Sequence, residues 1–360
     1  MKIAVIDADL IGRKRHRFPN LACMKISAHH KAIGDAVELK TDYDSLSDYD
    51  AVYISKVFTD TPVPDAALKL DNVSYGGAGF YYDKAPCLSD VIEHQMPDYH
   101  LYEAWVQEQL DHGGRRSEYA YYTDYSIGFL TRGCFRKCPF CVNQNYDRVF
   151  FHSPLSEFLD TARPKICLLD DNFFGSSIWK DLLLELQQTG KPFQFKQGLD
   201  ERLLTDEKCA LLFSSKYDGD YIFAFDNVAD ADIIEKKITL ARKYTNAVLK
   251  FYCFCGFDRN GKWDADFWRQ DIFDLMLRIR LLMQHRCLPY VMRYARYTES
   301  PYRGMYVSVA RWCNRPRFFK KKSLREFAYA NGIDSACYKY IWDFEHLHPQ
   351  FVPYLDMKYK

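Results

Sequence analysis

Residues 131–141 read TRGCFRKCPFC, and this stretch decides how the whole chain is interpreted. Its three cysteines have the spacing CxxxCxxC and follow a strand-like run at 127–130. They are Cys134, Cys138 and Cys141. Three thiolates on one tight loop suit three corners of an iron–sulfur cube, and Arg132, Arg136 and Lys137 favour the thiolate form and offset a cluster's negative charge. The stretch therefore predicts a metal-binding loop.

Zinc is the alternative metal for this loop. A structural zinc site needs a fourth Cys or His at a matching short spacing. His112 lies upstream of the strand-like run, and His152 lies beyond a further stretch of chain. The spacing favours an iron–sulfur cluster, while zinc and three unliganded core thiols stay open as alternatives.

The triplet resembles the signature of the radical S-adenosylmethionine (SAM) superfamily, in which an aromatic residue, here Phe140, precedes the last cysteine. The resemblance implies that Cys134, Cys138 and Cys141 hold a [4Fe–4S] cluster, whose open iron is chelated by the amino and carboxylate groups of SAM. It also implies an external electron donor of the flavodoxin or ferredoxin type. One electron then cleaves SAM to methionine and a 5′-deoxyadenosyl radical, which abstracts hydrogen from a substrate.

The repeated alternation of strand-like runs and helical patterns predicts a partial (β/α)6 TIM-like barrel over residues 120–300. One predicted helix starts at Ser176 or Ser177 and ends at Gly190, with Ile178, Leu182 and Leu186 as its apolar stripe. A later helix carries its apolar stripe at Ile272, Leu275, Ile279 and Leu282. The six predicted strands are 127–130, 166–169, 193–195, 221–225, 248–252 and 290–292.

Residues 1–110 precede the barrel and predict a small Rossmann-like parallel α/β module. Its strands are expected at 3–6, 37–39, 52–54 and from Val73, with a helix from Pro19-Asn20 to Gly34. A linker is expected at 86–125, which is rich in Pro, His, Gly and charge. Residues 301–360 predict a mainly helical C-terminal extension. The fold class is therefore α/β with three parts.

By its position, the N-terminal module resembles the cobalamin-binding domains found in one branch of the radical SAM superfamily. Those domains carry a DxHxxG string whose histidine ligates cobalt, and this chain has no such string. His29 and His30 lie in a helix-like segment instead. We therefore expect a degenerate module that does not bind cobalamin in that way.

Residues that follow the second predicted strand are candidate SAM contacts. The string Asp170-Asp171-Asn172-Phe173 resembles the element that binds the SAM amino group in the same branch, and carboxylates suit an ammonium. The alternative is that these acids begin the helix near Ser177.

Three later strands end in further candidates. After the third strand, Arg202 can clamp the SAM carboxylate or pair with Asp206. After the fourth, Asp226 and Asn227 suit ribose hydroxyls, and after the fifth, Gly256 allows the backbone to approach adenine. These roles rest on position alone, since polar residues are common at strand ends.

Three cysteines on and near the last two strands raise the question of an auxiliary cluster. Cys253 and Cys255 alternate on the fifth strand and share a face, and Cys287 precedes the sixth. Burial as core thiols is the favoured interpretation.

Residues 286–325 contain eleven Lys or Arg and one acid, Glu299, which gives a net charge of +10. Eight aromatic residues lie between these cations. Rings that stack bases and guanidinium groups that bind phosphates predict a nucleic acid or nucleotide partner. The alternative is a solvated face that docks on the acidic remainder of the chain.

The whole chain of 360 residues has a formal net charge of +1, so no global preference for polyanions is expected. Its start, MKIAVIDADL, lacks the features of a signal peptide, and no apolar run approaches the roughly 18 residues of a membrane span. We expect a soluble, cytoplasmic radical SAM enzyme that acts on a nucleic acid or nucleotide. A peptide or small-metabolite substrate is the second hypothesis, and a zinc-stabilised nucleic-acid-binding protein is the non-enzymatic one.

Overall fold

The structure is a computed structural model that describes residues 1–359 and divides into two compact units, Met1–Gln194 and Phe195–Lys360. In the described part of the chain, no helix is both long enough and apolar enough to cross a membrane. The finer domain bounds expected from the sequence, at 1–110, 120–300 and 301–360, stay a prediction.

The first unit begins with a four-stranded parallel sheet in the order β2-β1-β3-β4. Its central strand, β1, is buried from Ile3 to Asp7, because parallel sheets are covered on both faces. The predicted strands are confirmed. They are β1 (Lys2–Asp7), β2 (Ala36–Leu39), β3 (Ala51–Ser55) and β4 (Val73–Gly76).

Helix α2 covers this sheet and matches the sequence prediction. It spans Leu21–Ala32, and the Asn20 side chain caps it by accepting a hydrogen bond from the backbone N–H of Cys23. Gly34, at φ 88°, turns the chain after the helix, as a glycine past a helix end should. The other short helices of the module are α1 (Ala8–Gly12), α3 (Asp65–Leu68) and α4 (Ala78–Tyr81).

The predicted linker at 86–125 is wrong, because this segment forms part of the first unit's core. Tyr99, Tyr102 and Val106 are buried in one cluster with Ile3 and Cys23. Hydrophobic burial outweighs the turn-like composition that suggested a linker. The segment contains helices α5 (Asp90–Glu93), α6 (Glu103–Asp111) and α7 (Ala120–Thr123).

A second sheet of the first unit has the order β5-β8-β9, with β5 and β8 parallel. The buried hydroxyl of Tyr99 supports β5, because it accepts the backbone N–H of Ile127 at 2.8 Å and donates to the carbonyl of Phe158 at 2.6 Å. The strands are β5 (Tyr125–Gly128), β8 (Lys165–Leu168) and β9 (Phe193–Phe195), the last of which contains the boundary between the units. An antiparallel pair, β6 (Thr131–Arg132) and β7 (Phe150–Phe151), lies between β5 and β8 in the chain.

Helix α8 (Trp179–Gln188) differs in part from its prediction. Leu182 and Leu186 are buried, but Ile178 precedes the helix and is 36% exposed. No side-chain cap from serine starts the helix. The chain between β8 and α8 is therefore longer than the apolar pattern indicated.

The second unit contains the parallel sheet β10-β11-β12, and all six predicted barrel strands are present. The predicted stripe of α11 is fully buried. The strands are β10 (Tyr221–Ala224), β11 (Leu249–Cys255) and β12 (Leu288–Arg293). The helices are α9 (Asp206–Ser214), α10 (Ala231–Ala241), α11 (Ala265–Gln284), α12 (Arg303–Cys313), α13 (Pro316–Phe319), α14 (Leu324–Ala330), α15 (Ala336–Leu347) and α16 (Val352–Leu355), so the predicted helical C-terminal part is confirmed.

Candidate functional site

The cysteine loop is closed at its base by the short antiparallel ladder of β6 and β7, in which Thr131 pairs with Phe151 and Arg132 with Phe150. Gly133 opens the loop at φ 85°, and a Cβ there would lie 2.5 Å from the carbonyl oxygen of Arg148. Both the backbone angle and the space therefore require glycine.

The three predicted ligands, Cys134, Cys138 and Cys141, are all half-buried on this loop and form no disulfide. The sulfur of Cys134 accepts the backbone N–H of Arg136 at 3.3 Å, and that of Cys141 accepts the N–H of Asn143 at 3.4 Å. Each of these two sulfurs therefore receives a backbone hydrogen bond from the residue two positions further along the loop.

The arrangement of these sulfurs bears on the choice between zinc and an iron–sulfur cluster. Sulfurs on one zinc ion each lie about 2.3 Å from it and must converge closely. A cube instead spreads three cysteines over three of its irons. Three half-buried thiols on one loop are the donor set that such a cube takes.

Asp170 is buried beneath the start of the loop. Its Oδ1 accepts the backbone N–H and the hydroxyl of Thr131, both at 2.6 Å, and its Oδ2 accepts the N–H of Leu130 at 3.2 Å. Burial raises the pKa of Asp170 to about 6, although these hydrogen bonds act against the rise. The carboxyl group thus links the end of β8 to the chain that enters the cysteine loop.

Asp171 follows β8 and contacts the cysteine loop directly. Its carboxylate accepts the N–H of Gly133 at 2.8 Å and the side-chain amide of Asn143 at 2.8 Å, and it lies 3.6 Å from Nε of Arg132. The two acids do not begin the predicted helix, since a single 3-10 turn at Phe173–Gly175 follows them and α8 starts only at Trp179. Their predicted contact with the SAM ammonium stays a prediction, beside the positioning role that these bonds show.

The side chain of Asn172, the next residue after the two acids, contacts the first cysteine of the loop. Its amide nitrogen lies 3.3 Å from the sulfur of Cys134, and its Oδ1 is buried without a hydrogen-bond partner. Nε of Arg132 is buried and also lacks a hydrogen bond. An orphaned acceptor and an orphaned donor beside the loop are the kind of groups that a bound ligand satisfies.

Phe140 is half-buried, and its backbone carbonyl accepts the hydroxyl of Tyr82 at 2.6 Å. The side-chain amide of Asn145 donates to the carbonyl of Asp83 at 2.8 Å. The segment after β4 is therefore hydrogen-bonded to the cysteine loop, a contact that the sequence did not indicate.

In the second unit, the predicted SAM-carboxylate residue Arg202 is paired with acids. Its Nε donates to Asp200 at 2.7 Å and its Nη1 to Asp230 at 2.9 Å. The alternative pairing with Asp206 is wrong, because the Asp206 carboxylate accepts the hydroxyl of Tyr244. Two carboxylates hold the guanidinium in one orientation.

The remaining predicted SAM contacts have local structural partners. Asp226 accepts the backbone N–H of Phe254 at 2.8 Å, and burial raises its pKa. Asn227 caps the turn that follows it by accepting the N–H of Ala229 at 3.1 Å. Gly256 adopts φ 80°, and a Cβ at this position would lie 3.6 Å from its nearest neighbour, so the backbone angle and not crowding requires glycine. The ribose and adenine roles stay predictions.

Glu201 is a buried acid that sequence reasoning missed. It is 1% exposed, its Oε2 accepts the N–H of Ala224 at 3.3 Å, and its Oε1 has no hydrogen-bond partner. Burial raises its pKa to about 8, with repulsion from Asp200 adding to the rise. No sequence signal separates it from its polar neighbours in the string QGLDER.

Cys253, Cys255 and Cys287 are core thiols, as the favoured interpretation predicted. All three are buried, and burial raises the pKa of Cys253 and of Cys287 to about 12. Protonated thiols in an apolar interior are poor metal ligands.

The basic segment at 286–325 corrects one expectation. Tyr306, Trp312 and Phe319 are fully buried, so these rings pack the helical core and cannot stack on bases. The indole N–H of Trp312 donates to the carbonyl of Lys322 at 2.9 Å. The exposed cations of the segment include Arg311, Arg315, Arg317, Lys320 and Lys321.

No protein-family model and no characterised protein sequence matches the chain. Two solved structures of the radical SAM methyltransferase TsrM from Kitasatospora setae are similar to it. The one with cobalamin and a [4Fe–4S] cluster bound has a TM-score of 0.51 at 12% identity, and covers 81% of this chain and 74% of that chain. The one with tryptophan substrate and a SAM analogue has a TM-score of 0.51 at 13% identity, and covers 81% and 72%.

These values show a similarity of fold. They confirm the predicted α/β class, with a Rossmann-like parallel module, a partial barrel and a helical C-terminal part. The similarity of architecture covers about 81% of the chain.

Proposed function

We propose that this protein is a radical SAM enzyme. The observation that carries the proposal is the CxxxCxxC loop, which is closed by β6 and β7 and tied to the end of β8 by Asp170, Asp171 and Asn172. The structures that share the fold are described with a [4Fe–4S] cluster and with a SAM analogue, which supports these two cofactors here.

In this proposal the chain's own residues position the cofactors. Cys134, Cys138 and Cys141 hold the cluster, and Asp171 orients their loop through Gly133 and Asn143. When bound, the reduced cluster supplies the electron that cleaves SAM and so releases the 5′-deoxyadenosyl radical. Arg202 is the proposed partner of the SAM carboxylate, since Asp200 and Asp230 already fix its orientation.

Cobalamin is bound in one neighbour, but we do not propose it for this chain. At the end of β1, where the branch's string would stand, the chain reads Asp7-Ala8-Asp9-Leu10-Ile11-Gly12, with an acid in place of the histidine. The Asp9 carboxylate is buried, and it accepts the N–H of Val57 at 2.6 Å and the hydroxyl of Thr61. These bonds engage both oxygens inside the module.

We further propose a phosphate-bearing substrate, either a nucleic acid or a nucleotide. The support is the exposed cationic surface of α12 and α13, where Arg311, Arg315, Arg317, Lys320 and Lys321 form no ion pair with a carboxylate of the described residues. Surface cations without an ion-pair partner can bind phosphates, and this binding releases the counterions that surround a nucleic acid. The enzyme is proposed to be cytoplasmic, because its twelve cysteines form no disulfide and thiols stay reduced in that compartment.

The first test is anaerobic reconstitution with iron and sulfide. We expect about four irons and four sulfides per chain and broad visible absorbance, with both lost in Cys134→Ala. Cys87→Ala, at an exposed cysteine outside the loop, is the matched control and should keep the cluster. Stoichiometric zinc without iron would refute the proposal and favour the zinc-stabilised binding protein.

The second test measures 5′-deoxyadenosine after addition of SAM and dithionite. Slow formation without substrate is expected, with a higher yield when the right substrate is present. RNA, DNA, nucleotides and peptides are compared side by side. A rise with peptide alone would replace the phosphate-bearing substrate by the second hypothesis and leave the enzyme class intact.

A further inference from the structure

The carboxyl edge of the first sheet carries a surface that neither the cysteine loop nor the basic segment at 286–325 explains. The sheet order β2-β1-β3-β4 changes direction between β1 and β3. In open parallel sheets, ligands bind outside the carboxyl ends of the strands at such a switch point. The loops after β1, β3 and β4 therefore occupy a ligand-binding position of the fold.

Buried polar side chains fill the crevice directly below these loops. Tyr102 donates to Asp7 at 2.9 Å, and Asn20 donates to the hydroxyl of Ser55 at 3.0 Å. A ligand at this edge consequently lies on the outer surface of the loops and not between the strands.

The outer surface presents aromatic rings. Phe58, Tyr75 and Tyr81 are 40%, 38% and 38% exposed. The rings of Tyr75 and Tyr81 are parallel within 4°, with centroids 5.9 Å apart. The turn between them is tight, because a Cβ on Gly77 would lie 2.3 Å from the carbonyl oxygen of Lys56. The two tyrosines thus flank a tight turn, with their rings packed on Phe80 and partly exposed.

A basic loop borders these rings. Residues 13–17 read RKRHR and follow α1. The guanidinium of Arg13 lies 4.1 Å from the centre of the Phe58 ring and pairs with Asp60 at 2.6 Å. Lys14 and Arg15 are exposed and form no ion pair within residues 1–359. The basic loop therefore contacts the exposed rings through Arg13 and Phe58, and it carries two further exposed cations.

We infer that this nucleotide surface, made of the basic loop 13–17 with Phe58, Tyr75 and Tyr81, binds the nucleotide units of single-stranded nucleic acid. Each base offers a flat face to a tyrosine ring, and each phosphate offers a charge to Lys14 or Arg15. Free nucleotides share this chemistry, but a strand engages several rings and cations at once. The inference goes beyond the proposed function, because the binding needs neither cluster nor SAM.

The test uses the full chain purified in air, without reconstitution, and fluorescence anisotropy of a labelled 12-nucleotide RNA across a salt series. The double variant Lys14→Glu/Arg15→Glu should bind at least tenfold more weakly at low salt. The slope of log K against log salt should also fall by about 1.4, since each lost phosphate contact removes about 0.7. Lys69→Glu, at an exposed lysine on the chain that leads into the amino end of β4, is the control and should leave both unchanged.

The rings are tested separately. Tyr75→Ala and Tyr81→Ala should each weaken binding about 5- to 150-fold, which is the loss of one stacked base, with the salt slope unchanged. Tyr81→Phe should restore binding, because it keeps the ring. Trp342→Ala, at an exposed ring of the second unit, is the control.

Three results would overturn the inference. Unchanged RNA affinity in both the charge and the ring variants would exclude the surface. Full displacement of RNA by equimolar mononucleotide would assign it to free nucleotides. Normal RNA binding combined with slower reduction by an acidic flavodoxin would assign it to a protein partner. Cluster content and 5′-deoxyadenosine yield remain separate readouts, so failure here is distinguishable from failure of the proposed function.

Discussion

The carboxylate of Asp171 accepts the backbone N–H of Gly133 at 2.8 Å, and this bond joins the residues after β8 to the first residue of the cysteine loop. Because β5 and β8 are parallel neighbours, their carboxyl ends meet at one edge of the sheet. The acid and the loop therefore come together although 38 residues separate them.

Asp171→Ala should lower the iron content after anaerobic reconstitution, because the loop loses both the Gly133 and the Asn143 hydrogen bonds. Asp171→Asn keeps an acceptor for Gly133 and should retain more iron. Iron and sulfide assays measure the effect. Equal iron content in the wild type and in Asp171→Ala would contradict this prediction, because the loop would then hold the cluster without these two hydrogen bonds. A change in the SAM affinity of the variant would in that case report only the predicted contact with the SAM ammonium.

Asp170→Ala should destabilise the first unit by about 3 kcal/mol, because it leaves two buried N–H groups and a hydroxyl without their acceptor. Denaturant unfolding of the cluster-free protein measures the free energy. Asp181→Ala removes an exposed acid from the first turn of α8 and is the control, with an expected change below about 1 kcal/mol. A similar small change in Asp170→Ala would contradict the buried network.

Trp312→Ala should act on stability and not on nucleic acid binding. Trp312 is fully buried, so its removal leaves a cavity that costs about 3–5 kcal/mol. The salt dependence of RNA binding should stay unchanged. Charge reversal of Lys320 and Lys321 should do the opposite, reducing the salt slope with little effect on unfolding. A loss of RNA affinity in a stably folded Trp312→Ala would restore the base-stacking role predicted from the sequence.

Glu201→Gln should remove part of the pH dependence of stability. Burial raises the pKa of Glu201 from 4.5 to about 8 in the folded state, so the unfolded chain loses this proton first as pH rises. The wild type is therefore destabilised between about pH 4.5 and 8, by at most roughly 5 kcal/mol, and the variant is not. Unfolding free energies at pH 5 and pH 8 test this. Glu207→Gln, at an exposed acid, is the control, and its change in unfolding free energy between pH 5 and pH 8 should equal that of the wild type.

The sequence alone determined the features that depend on local order along the chain. The spacing of Cys134, Cys138 and Cys141 indicated the fold through its resemblance, and the metal-binding role of these residues stays a prediction. Apolar runs located all six barrel strands, and the 3.6-residue period located α11, because each element buries a face whose pattern is written in consecutive residues.

Only the tertiary structure decided which polar residues meet. Asp171 contacts Gly133 because the ends of the neighbouring strands β5 and β8 lie at one edge of their sheet. Arg202 likewise pairs with Asp230, which lies 28 residues further along the chain. The same packing placed Trp312 in the core. A tryptophan that lies among cations in the sequence suggests an exposed ring. Its burial depends on which helices cover it, and that is a property of the folded chain.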